Sequence, residues 1–126
     1  MTIIVAVPDS PEGAVAFTAA VAEAKQIGTD LVAVNLGLRQ LDIAPLDPAV
    51  SVTVVDRLGP DDRDPVDAVL DEITERNGTR LVIGVKQRSP VGKAFFGSVS
   101  QRLLLDSPVP VLAVKPSEGQ GNAARS

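Results

Sequence analysis

The sequence predicts a three-layer α/β domain, a five-stranded parallel sheet with helices on both faces. Short apolar runs rich in Val and Ile carry the first part of that prediction, because strands buried on both faces read as continuous stretches of this kind. Segments with helical periodicity lie between them, two of them opened by a capping residue and a proline. Regular alternation of the two is what right-handed crossovers between parallel strands require.

Ile3 to Val7, closed by Pro8, is the first strand. Ser10 is placed to cap the next helix, Pro11 sits in its first turn, and Phe17, Val21 and Ala24 run along it to a stop at Gly28. Leu31 to Val34, continuing to Leu36, is the second strand. Gly37 to Val50 contains two prolines and no clear period, so it reads as an extended connection with room for one helical turn. Ser51 to Val55 is the third strand. The next helix has the clearest pattern: Asp64 caps, Pro65 follows, and Val66, Val69, Leu70 and Ile73 recur at helical spacing up to Gly78. Arg80 to Gly84 is the fourth strand, Ser98 to Asp106 a helix, and Pro110 to Val114 the fifth strand. Residues 1–116 are expected to form one domain and residues 117–126, glycine, alanine and polar side chains, a disordered tail.

Composition removes whole classes of chemistry. The 126 residues include no His, Cys, Tyr or Trp. A Ser-His-Asp triad, a thiolate nucleophile, His or Cys metal sites and a Tyr acid are therefore excluded, and catalysis would have to rest on carboxylates, lysine or a bound metal. The run from Ile3 to Pro8 is too short for a membrane span or signal peptide, so the expected location is cytoplasmic, with no membrane partner. A net charge of −4 and three Phe as the whole aromatic complement speak against nucleic acid. Yet no carboxylate lies between Glu75 and Asp106, an interval that holds Arg76, Arg80, Lys86, Arg88, Lys93 and Arg102.

That interval contains the candidate site. Between the fourth strand and the last helix runs a basic, glycine-rich loop with Gly84, Gln87, Arg88, Gly92, Gly97 and Ser98. N–H groups at the start of a helix have no internal partner and, with the helix dipole, attract anions, so Gly97 and Ser98 are placed to hold phosphate with Arg88 or Lys93 nearby. The competing reading is that the glycines supply tight turns and the basic side chains are solvated. A P-loop does not fit, because its first glycine would fall on Gln87 and the Ser or Thr after Lys93 is Ala94. The dinucleotide fingerprint is absent from both βα turns. Asp61, Asp62 and Asp64 are expected as helix-capping acids in preference to a metal site, and of Phe95 and Phe96 one is expected in the core and the other over it. In an open parallel sheet ligands bind beyond the strands' carboxyl ends where strand order reverses. With order 3-2-1-4-5, Asp9 and Ser10 would lie beside the loop, and Val34 to Gly37 would form a wall for a flat apolar group.

The chain resembles the universal stress protein family. Gly84 and Gln87, followed by nine residues and then Gly97-Ser98, match the spacing of the nucleotide-binding motif, glycine, two residues, glycine, nine residues, glycine, serine or threonine. The text on either side, from Val82 to Gly84, from Ser98 to Leu104 and from Pro108 to Lys115, is similar as well. This resemblance implies a flavodoxin-like αβα sandwich with order 3-2-1-4-5 that binds ATP, with Mg2+ as a companion ion, and forms a homodimer through Val109 to Val114. Carried over by position, Gly84 would lie along the ribose-phosphate, Gly97, Ser98 and Val99 would meet the phosphates with Ser100 close behind, and Leu36 would contact adenine. Two positions depart from the pattern: Gln87 replaces the second glycine, its Cβ disfavouring positive φ, and Pro8 stands where binding members carry aspartate, with Asp9 one position later. Two functions follow, an adenine-nucleotide-binding stress-response protein, for which the resemblance implies that it is not an enzyme, and a dimeric protein-interaction module that does not bind nucleotide; a weak ATPase is a third reading, against which the missing P-loop and the missing histidine speak.

Overall fold

Alternation within each apolar run decides how the strands are used. In the first strand, β1 (Thr2–Val7), Ile3, Val5 and Val7 turn to one core while Ile4 and Ala6 turn to another. Both sets are buried, which is why the run reads as continuously apolar. The computed structural model describes residues 2–37, 40–42, 48–56, 64–85, 87–88 and 94–115.

Helix α1 (Pro11–Ile27) packs Phe17, Ala20, Val21 and Ala24 on the first face, joined by Leu31 and Ala33 of β2 (Asp30–Asn35) and by Val82 of β4 (Gly78–Gly84). The second face is covered by α2 (Pro65–Glu75) through Val66, Val69 and Ile73, and by α3 (Ser98–Asp106) through Leu103. Each fully buried Leu, Ile or Val side chain contributes roughly 1.5–3 kcal/mol. The remaining strands are β3 (Val52–Asp56), β5 (Gln87–Arg88), β6 (Ala94–Phe95) and β7 (Val111–Val114). Five of the strands form one parallel sheet in the order β3-β2-β1-β4-β7, the predicted order, with β3 and β7 at its edges.

Three local findings differ from the sequence reading. Helix α2 ends at Glu75, not at Gly78; Asn77 takes the left-handed conformation (φ 53) and Gly78 already belongs to β4. The polar turn therefore does the work assigned to the glycine, and β4 begins two residues before Arg80. The glycine-rich loop contains a second, two-stranded antiparallel sheet, with Gln87 opposite Phe95 and Arg88 opposite Ala94. Ser10 occupies the N-cap of α1, but its hydroxyl caps nothing. Its Oγ is buried without a hydrogen-bond partner among the described residues, while its backbone carbonyl accepts from Gly13 and Ala14.

Asp64 caps α2 as expected, accepting from the Val66 N–H at 2.8 Å. Phe96 packs against the second core. Gly92, Asp61, Asp62 and the tail lie outside the described residues. No helix among the described residues is long and apolar enough to cross a membrane.

Candidate functional site

The start of α3 differs from the starts of the other two helices. Asp64 and Asp67 occupy the cap and first turn of α2, and Glu12 the first turn of α1; α3 opens on Gly97 with neither a side-chain cap nor an acid. Its first intrahelical bond runs from the Gln101 N–H to the Gly97 carbonyl, at 2.9 Å. The N–H groups of Ser98, Val99 and Ser100 precede it and have no acceptor within the helix. Ser98 is exposed, Val99 rests on the second core and Ser100 is buried. A Cβ added at Gly97 would meet nothing within 4 Å, and its φ of −66° suits any residue. Among the described residues, nothing requires glycine there.

Gly84 is glycine for another reason. A Cβ there would lie 2.3 Å from the Glu12 carbonyl oxygen, so the first turn of α1 sits directly on the end of β4. This contact joins the loop after β1 to the loop after β4 at the switch between the two strands. Gln87 lies in β5, and Asn77 is the non-glycine residue with positive φ among those described. The expected strain at Gln87 is therefore absent, because a short hairpin holds its backbone extended.

The basic interval divides. Arg76 pairs with Glu72 at 2.6 Å and Arg80 with Glu23, near the amino ends of the strands. Arg102 leans from the second turn of α3 to Asp64 at the N-cap of α2, 3.5 Å away, both side chains about half exposed. The Val66 N–H holds the Asp64 carboxyl below its ordinary value against some desolvation, with the Asp67 N–H and Arg102 adding to the effect. Arg88 belongs to β5, and Lys86 and Lys93 lie outside the described residues.

Beyond the carboxyl ends of β1 and β2 is a cavity of about 580 Å³. Val7, Phe17 and Leu41 give it an apolar wall, and Asp9, Ser10 and Asn35 a polar one. Leu36, the expected adenine contact, instead packs with the second core, because alternation along β2 turns it to the opposite face from Asn35. Asn35 falls within the predicted wall of Val34 to Gly37, and a buried amide after the apolar run Leu31 to Val34 is the signal that singles it out.

An open parallel sheet with a switch between β1 and β4, a cavity at the strand ends and an uncapped helix start define a flavodoxin-like α/β domain of the kind that takes ligands at that edge. The model of the universal stress protein family matches residues 46–115, and the chain belongs to that family. A universal stress protein of Mycolicibacterium smegmatis is 51% identical over 53 residues, a segment spanning 42% of this chain and 41% of that relative. A universal stress protein structure from Archaeoglobus fulgidus is similar with a TM-score of 0.67 and 26% identity, covering 91% of this chain and 98% of the other. Another, the Archaeoglobus fulgidus universal stress protein in complex with dAMP, gives a TM-score of 0.64 at 23% identity over 91% and 98% of the two chains.

Proposed function

We propose that this chain is a cytoplasmic stress-response protein that binds an adenine nucleotide, with the phosphates at the start of α3 and the base in the cavity beyond β1 and β2. The single observation that carries the reading is the α3 start, an uncapped, acid-free helix N-terminus opened by a glycine the fold does not need. The cavity has the size of a small-ligand site, and a structural relative was solved with dAMP. The buried, unpartnered Ser10 hydroxyl on its wall offers a donor and an acceptor to a polar ligand edge. With no His, Cys or Tyr in the chain, the nucleotide acts as a regulatory or structural cofactor, ATP being the form that brings Mg2+ with it. Mass spectrometry of small molecules released from the purified chain, followed by calorimetric titration with ATP and AMP, tests this. Recovery of an adenine nucleotide is expected; no binding of either at millimolar concentration overturns it.

A homodimer through Val109 to Val114 belongs to the same proposal. Strand β7 pairs with β4 alone, carries no charge, and presents Leu112 at 38% exposure. Leu104 and Leu105 of α3 are exposed as well. An unguarded edge of this kind calls for a cover. If nucleotide binding fails while the dimer stands, the chain is a protein-interaction module of the same fold.

A further inference from the structure

We propose that Asn35 and Asp56 form a positioning pair that sets the wall of the base cavity, so that the edge strand β3 influences base binding without touching the ligand. This rests on the nucleotide reading above. Asn35 ends β2 and is 3% exposed; its register partners are Val7 on one side and Asp56 on the other. Its Nδ2 donates to Asp56 Oδ1 at 2.9 Å, and its Oδ1 accepts from the Gly37 N–H at 3.0 Å. Both ends of the amide are engaged, which fixes its rotation and ties the turn after β2 to the end of β3.

Gly37, held in this way, lies against Asp9. A Cβ at Gly37 would be 2.5 Å from the Asp9 Cβ, so the two loops touch with no room for a side chain. Asp9 lines the cavity. Contacts therefore run from Asp56 through Asn35 and Gly37 to Asp9 and the base, and none of these residues belongs to α3. Asp56 is exposed at the end of β3, so it can be altered with little effect on the core. The pair should govern affinity for the base and leave affinity for phosphate untouched.

The test uses the full chain titrated with adenosine and, separately, with inorganic tripolyphosphate. Asp56→Ala is expected to weaken adenosine about fivefold, the effect of losing one ordinary hydrogen bond, and to leave tripolyphosphate unchanged. Asp56→Asn keeps an acceptor oxygen and should restore wild-type affinity. Gly37→Ala should weaken adenosine further by displacing Asp9. Hydrogen exchange at the Gly37 N–H of the ligand-free chain should quicken in Asp56→Ala. Unchanged adenosine affinity in Asp56→Ala, an equal loss in Asp56→Asn, a parallel loss of tripolyphosphate, or unchanged exchange would each overturn the inference. A wild-type chain that binds no adenosine overturns the nucleotide reading, and the ligand role of the pair with it, whereas the exchange measurement judges the pair by itself.

Discussion

Substituting valine for Gly97 separates a ligand role from a structural one. The backbone there is extended, and a Cβ meets nothing within 4 Å among the described residues, so Gly97→Val introduces no backbone strain and its Cβ no clash. The remaining cost is the poor N-cap preference of valine, about 1 kcal/mol or less. Against this, a branched side chain over the N–H groups of Ser98 and Val99 blocks an approaching phosphate. A hydrogen bond to a charged group contributes roughly 1.5–3 kcal/mol, so ATP affinity should fall about 10- to 150-fold. Gly84→Ala is the counterpart: its Cβ would be forced to 2.3 Å from the Glu12 carbonyl oxygen. Overpacking of that kind costs about 1–3 kcal/mol of stability. Denaturant unfolding and calorimetric titration of both variants supply the two readouts. A Gly97→Val protein that folds and binds ATP like wild type would refute the placement of phosphate at α3.

Leu103→Ala should destabilise the chain by about 2–5 kcal/mol in denaturant unfolding, because Leu103 is fully buried and anchors α3 to the sheet. Leu112→Asp should convert a dimer to a 13.1 kDa monomer in equilibrium sedimentation at micromolar concentration; a monomeric wild type would reject the β7 interface. Asp64 has a lowered carboxyl pKa in the folded chain, so its stabilisation is present above the ordinary unfolded value of about 4 and is lost as pH falls through the lower folded value. Asp64→Ala should thus melt below wild type at neutral pH, with the gap closing as pH falls through the lowered folded value; a gap independent of pH would contradict the carboxylate cap. Because Gln87 is held in β5 without positive φ, Gln87→Gly should give no gain in ATP affinity from released strain. Titration of that variant checks it, and a fivefold tightening would show that the hairpin obstructs the site.

The sheet order and the main helices were legible because each signal had one physical meaning. Pro65 after Asp64 starts a helix and nothing else in this context, and the runs at Ile3 and Leu81 are apolar on both faces because both faces are covered. Boundaries failed where a second residue could serve. Asn77 adopts the left-handed conformation that seemed to require Gly78, which frees Gly78 for β4. The hairpin of β5 and β6 was hidden because two-residue strands leave no periodicity. In the candidate site, the α3 start was legible from Gly97-Ser98 opening a helix and from the missing acids; that no side chain caps it is known only from the structure. The wall from Val34 to Gly37 was legible too, but not which of its residues faces the cavity, since the choice between Asn35 and Leu36 depends on which face each one takes. From the sequence Gly84 serves a turn or a ligand, whereas the helix that presses on it comes from a distant part of the chain.

The central claim is most directly tested by a crystal structure of this chain grown with ATP. Phosphate oxygens within hydrogen-bond distance of the Ser98 and Val99 N–H groups, with the base in the cavity beside Asn35 and Phe17, are the predicted result. A nucleotide seated elsewhere, or none at millimolar ATP with the α3 start open to solvent, would contradict the account.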